Sequence, residues 1–515
     1  MKHGKLFVFS LMILIFIISC GNKDAKNIIS IKNASAEKLI NSFTKFENNF
    51  MLRSDIADNG YEQLNFFLTD YDIQGPKVEK FLQSAAPFID SVIENKIGVT
   101  SRFINDKKAQ AFKFSYAFNN ILQNEEKTDV INIVMGQKNI EAASPSIFNK
   151  AFSIPAQDLG KALALIAPKE VPANLNIDLT YNTLRTFTSI QPDKASQKRY
   201  DKAQGILYKH AVITRNGDTY SIVFNNDDIV KFIPALVNAV KNDNRIKALW
   251  NFYEKLFEKE FKEIEEKFNT EIKDKIKECS FTEELIVKDN LVIKDICTVS
   301  TKGKEIVHLE TGIKNYENPI DGMTYTLNIT DPKLIDKDTK ADIISFVFAT
   351  EGTITDTTAK IDYSASMSVT NDTEKSSLSD IDMHYYFYAD TTKQNDNFKI
   401  GMDATAYNGL DGKDKGTKQV LMNIAMQALG SVEKAPDIII YKVDTIGMDL
   451  KTPDTEQYTV QLETDASVIY SKNILEDIVI PNDTVKVLET KVNEWQAIKD
   501  EITANLNALS TLLNL

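Results

Sequence analysis

The sequence predicts an α+β protein: a large curved antiparallel β-sheet, or more than one, covered by amphipathic helices and preceded by a cleaved signal peptide. Three observations carry this expectation. An apolar run near the N-terminus has a positive flank but is too short to span a membrane. Several stretches repeat apolar residues every three or four positions, the period of a helix packed on one side. From 280 to 470, short alternating segments follow one another with turn residues between them, the pattern of hairpins with one packed face.

The N-terminus begins with Lys2 and Lys5 and continues through Leu6–Ile18 without a charge. That run is about 13 residues long, against the ~20 a spanning helix needs, so it reads as a secretory signal. It ends Ile17-Ile18-Ser19-Cys20-Gly21. These residues resemble the lipobox of bacterial lipoproteins: an aliphatic residue, a tolerant position, a small residue, then cysteine. The resemblance implies signal-peptidase cleavage between Ser19 and Cys20. It implies a diacylglycerol on the Cys20 thiol, with room for a further acyl chain on the new amino terminus, and no other cofactor. It also implies a membrane partner reached through that lipid anchor. The place implied is extracytoplasmic, in the cell envelope, at the outer membrane or cell surface of a two-membrane bacterium. Ile18 is bulkier than that family's usual choice. One acyl chain holds a protein only marginally, whereas two or more anchor it stably. The alternative is an ordinary secreted protein with Cys20 free or disulfide-bonded.

Residues 20–34 then read as a polar, lipidated tether. A region from 35 to 278 should be α+β. Its first helix spans about 35–51, with Ser35 as N-cap and Leu39, Ile40, Phe43, Phe46 and Phe50 on one face. A second helix spans about 76–95 with Pro87 inside it. Two strands flank a turn at Asn105-Asp106, and "DVINIVMG" adds a third. The stretch 140–200 reads as short helices and loops. "GILYKHAVITRNGDTYSIVF" is a hairpin turning at Asn216-Gly217. A long helical block follows over 227–278, capped by Asp227 or Asp228.

Residues 279–482 read as the β-rich region, interrupted by one helix at about 415–430. A hairpin over 280–299 turns at Asp289-Asn290 and places Cys297 opposite Thr282, close to Cys279. A disulfide between Cys279 and Cys297 fits an exported protein; two buried free thiols are the other reading. A terminal helix, 483–513, carries an apolar stripe that either docks on the sheet or pairs with another chain.

Composition excludes some classes. The chain has 60 Lys+Arg against 73 Asp+Glu, and removal of residues 1–19 takes away two of the lysines. Nucleic acid needs a basic footprint that this chain lacks. No metal is expected: His210, His308 and His384 have no second ligand at metal spacing. Phosphate and nucleophile motifs are missing, and "YNGLDGKDKGTK" reads as a surface loop. Asp331, Asp336, Asp338 and Asp342 lie in one acidic stretch, but without the Gly and Glu of a calcium loop. No catalytic residues emerge, so a non-enzyme is expected.

The order of tether, amphipathic helices and large antiparallel sheet also resembles LolA/LppX-like lipoproteins. That resemblance implies a sheet able to hold an acyl chain. Two functions follow as expectations. One is a non-enzymatic role in envelope structure or surface interaction, with an envelope or host protein as partner. The other is a tethered carrier of lipid or another hydrophobic ligand, held in a cavity between sheet and helices.

Overall fold

The computed structural model describes residues 23–50, 60–76, 78–122, 125–166, 178–187, 192–247, 261–330, 343–371, 376–394, 396–408, 419–452 and 457–512. Its architecture is mixed α+β, built on one 20-stranded sheet. The first part of the chain gives α1 (Lys23–Phe50), β1 (Gly60–Gln74), α2 (Val78–Glu94), β2 (Gly98–Asp106), β3 (Ala111–Leu122), β4 (Glu125–Met135), β5 (Asn139–Ser144) and β6 (Phe148–Pro155). Next come α3 (Leu159–Ile166), α4 (Tyr181–Phe187), α5 (Lys194–Leu207), the hairpin β7 (Val212–Asn216) and β8 (Thr219–Val223), and α6 (Asn226–Lys241). A π-turn at Phe268–Ile272 leads into α7 (Lys273–Lys277).

The long meander follows: β9 (Cys279–Lys288), β10 (Leu291–Thr301), β11 (Lys304–Ile313), β12 (Met323–Ile329), β13 (Ile343–Ile354), β14 (Thr358–Asn371) and β15 (Ser376–Asp390). It continues with β16 (Phe398–Asn408), β17 (Gln419–Ala435), β18 (Ile438–Lys451) and β19 (Gln457–Ser471). A short β20 (Thr484–Lys486) and α8 (Val492–Leu512) close the chain.

Strands β7 to β19 lie side by side in chain order, each antiparallel to the next. Strand β19 then pairs with β1, and β1 to β6 continue the sheet in order. Strand β20 adds to β6 in parallel. Among the described residues, β7 and β20 are therefore its two edges. The regions 35–278 and 279–482 share this one sheet, joined at β8–β9 and at β19–β1.

Several sequence expectations are corrected. The tether expected at 20–34 is helical from Lys23, so Ser35 lies inside α1 rather than capping it. Its hydroxyl donates to the Ile31 carbonyl at 2.7 Å and accepts the Val292 N–H at 2.9 Å. The helix expected at 415–430 is strand β17: its strong helix formers are overruled by neighbours β16 and β18, both of which pair with it. The terminal helix starts at Val492, and β20 occupies part of the stretch before it. Residues 139–155 form a strand pair instead of helices and loops. Helix α6 is capped by Asn225, whose side chain accepts from the N–H groups of Asp227 and Asp228. The β2–β3 turn falls after Asp106, and the β7–β8 turn uses Gly217 at φ +60° with Asp218. The lipobox with Ser19 and Cys20, the acidic stretch 331–342, residues 409–418 and the middle of the 227–278 block lie outside the described residues.

Other expectations stand. Pro87 lies inside α2, and the Asp289-Asn290 turn has φ of 52° and 60° at its two residues. Such left-handed pairs suit the twist of a tight hairpin.

Candidate functional site

Residues paired across neighbouring strands point to the same side of a sheet, so register defines what each face carries. One row runs Tyr363, Tyr385, Met402, Met426, Met448, Val460, Ile73 from β14 to β1. A second runs Phe348, Ala365, Met383, Ala404, Ile424, Leu450, Tyr458. A third runs Phe346, Met367, Ile381, Ala406, Met422. None of these rows contains a charge. The opposite face over the same strands carries Asp362, His384, Asp382, Asp403, Gln427, Asp449 and Glu463.

The apolar face has two parts. Toward the end where α1 lies, it is dry. Phe50 is fully buried, with Ile361 at 1% and Phe387 at 7% exposure. Phe46 meets the edge of Phe387 at 5.8 Å between ring centroids, and Phe398 lies 4.8 Å from Tyr441. The Tyr441 hydroxyl donates to the Phe50 carbonyl at 2.7 Å. Toward the far end the same face stays open: Met383 is 40%, Met402 37% and Met426 43% exposed. A contiguous open apolar area of this kind marks an interaction site.

Helix α1 is positioned because Ala25, Ile28 and Ile29 pack into a core with α5, α6 and β8–β10, while Phe43, Phe46 and Phe50 pack on β14–β18. Between these two contacts lies a buried polar cluster. The Lys32 ammonium pairs with the Glu283 carboxylate of β9 and lies 3.0 Å from that of Asp295 on β10. The Tyr208 hydroxyl donates to the other Glu283 oxygen at 2.7 Å. The Cys297 thiol lies 3.7 Å from Glu283 and 3.6 Å from Asp295. Burial, with the nearby Asp295 charge adding to it, pushes the Glu283 carboxyl up to about 7, against the opposing pull of Lys32. Burial opposes the Lys32 charge, but Asp295 and Glu283 outweigh it and hold the ammonium well above its ordinary range. Burial likewise raises the Cys297 thiol and the Tyr208 phenol. The Glu283, Asp295 and Cys297 atoms converge within 4.8 Å, but the cation they surround is the Lys32 ammonium.

Cys279 and Cys297 are free thiols. Sequence spacing had set Cys297 opposite Thr282; a bulge between Val292 and Lys294 shifts it opposite Glu283, and Cys279 pairs with Thr301. The three histidines among the described residues face carboxylates. His210 lies 2.9 Å from Asp228, His308 3.4 Å from Glu305, and His384 3.4 Å from Asp362. Sequence reasoning did not identify the Lys32 cluster, because its members come from α1, β9, β10 and the end of α5.

No family model matches the chain, and no curated protein matches it. Among solved structures, one similar chain is the loop L8 deletion mutant of OmpT, an outer membrane protein of Vibrio cholerae. It is 8% identical, covers 81% of this chain and 100% of its own, and has a TM-score of 0.18. Another is OccK5 (OpdH) of Pseudomonas aeruginosa, 6% identical, covering 80% of this chain and 96% of its own, with a TM-score of 0.15. At these scores neither likeness bears on fold or function.

Proposed function

We propose that this is a lipid-anchored, exported, non-enzymatic protein of the cell envelope that holds lipid acyl chains on the open apolar part of its sheet. The anchor rests on the lipobox ending at Cys20. The carrier role rests on one observation: uncharged rows in register across β13–β19 and β1, with methionines between 37% and 43% exposed. Methionine adapts its shape to varied apolar ligands.

Helix α1 crosses this face: Lys32 meets β9 and β10, and Phe50, about 27 Å of helix axis further on, packs on β14–β18.

A bilayer is disfavoured as the direct partner of this face. Helix α1 lies on the same side and exposes Lys45 at 61% and Glu37 to solvent. Desolvating such charges against hydrocarbon is costly. The polar face, with its aspartates and His384, favours the second reading, surface interaction with an envelope or host protein.

The test is lipid extraction from the purified soluble protein, compared with a Met402→Glu/Met426→Glu variant. A saturable, stoichiometric lipid lost in the variant supports the carrier. An empty wild-type protein that takes up no offered fatty acid or phospholipid removes it.

A further inference from the structure

The Lys32 cluster has an uneven charge count. Among the described residues, the ionisable groups seen facing one another are Lys32 from α1, Glu283 from β9, Asp295 and Cys297 from β10, and Tyr208 beyond α5. Burial keeps the thiol and the phenol neutral. One ammonium therefore faces two carboxylates. Lys32 and Glu283 side chains are 2% and 1% exposed, while Asp295 is 14% exposed and offers a way to solvent. An unbalanced charge in such a place is expensive, and the simplest relief is one bound proton.

We infer that Lys32, Glu283 and Asp295 form a proton-operated latch for α1. With one proton on the Glu283 carboxyl, the cluster is neutral and the N-terminal half of α1 is fixed on the sheet. When that proton leaves to solvent, the cluster carries a net negative charge and this half of the helix loosens. The C-terminal half keeps its ring contacts with Phe387 and the hydrogen bond that Tyr441 donates to the Phe50 carbonyl. The motion is therefore a hinge of the first half, not release of the whole helix. This half starts three residues after Cys20, so the latch sets how stiffly the sheet is coupled to whatever holds the N-terminus. The inference does not depend on the carrier reading.

The test is hydrogen exchange of the full chain in detergent, from pH 5.5 to 8.5, corrected for intrinsic rates. Amides of 25–35 should lose protection by about tenfold or more across that range, while those of β14–β18 serve as the unchanged standard. Glu283→Gln, or Asp295→Asn, should give 25–35 protection that no longer changes with pH. Unchanged protection in the wild-type protein overturns the latch. So does a wild-type response that persists in both variants. If Glu283→Gln fails to fold, Asp295→Asn decides.

Discussion

Lys32 on α1 and Glu283 on β9 form an ion pair whose side chains are almost entirely removed from water, across 251 residues of chain. Ion pairs of this kind stabilise little against a well-packed apolar alternative, but removing one partner strands the other. Lys32→Met should therefore destabilise by about 3–5 kcal/mol, read as a lower urea midpoint. Adding Glu283→Gln to Lys32→Met should recover part of that loss. A double variant no better than the single would show that the stranded carboxylate is not the cause.

Stability should also depend on pH through Glu283. Its folded-state value, about 7, is raised from the ordinary 4.5. Between those values the folded protein binds the extra proton, so the contribution is full below 4.5 and falls as pH rises toward 7. Asp106 and Asp243 act in the opposite sense. Both are held below the ordinary carboxylate range although burial opposes it: backbone and Lys113 hydrogen bonds outweigh it at Asp106, and Arg245 at Asp243. Their stabilisation is present above 3.8 and is lost below it, as pH falls through their lowered values. Urea midpoints at pH 5 and pH 7.5 should differ more in the wild-type protein than in Glu283→Gln. Equal differences would remove Glu283 from the account.

Phe50 holds the other half of α1. Phe50→Ala removes a fully buried ring and should cost about 3–5 kcal/mol. Met402→Ala, at 37% exposure, should cost clearly less. Comparable losses at the two positions would mean that the far part of the face is as tightly packed as the near part.

The thiols give a chemical check. Cys279 and Cys297 are free, so unreduced, denatured protein should show both as reactive. In the native state Cys297 should react more slowly than Cys279, because it is more deeply buried and its thiol is raised further. A mass gain on reduction, from the two hydrogens that a disulfide takes up, would contradict this.

The anchor has its own test. Cys20→Ala should leave the precursor uncleaved or release the protein from membranes. Normal processing with unchanged membrane attachment would exclude lipidation at Cys20.

Much of this fold was legible in the sequence because alternation and helical period survive in single segments. Hairpin β9–β10 and helix α2 were both readable that way. Strand β17 was not: Leu, Met, Ala and Gln favour a helix locally, and only pairing on both sides makes a strand. The start of α1 was hidden because Lys23–Lys32 is polar by composition and becomes buried only through the sheet and α5. The Cys297 register failed by one position because a bulge has no signature in residue type alone. The uncharged rows depend on register between strands far apart in the chain, above all β1 beside β19.

The central claim is tested most directly by mass spectrometry of an organic extract from residues 21–515, produced without the anchor. The account predicts a stoichiometric lipid that is absent from Met402→Glu/Met426→Glu protein of unchanged secondary structure. Wild-type protein that carries no lipid, and acquires none from added phospholipid or fatty acid, would contradict it.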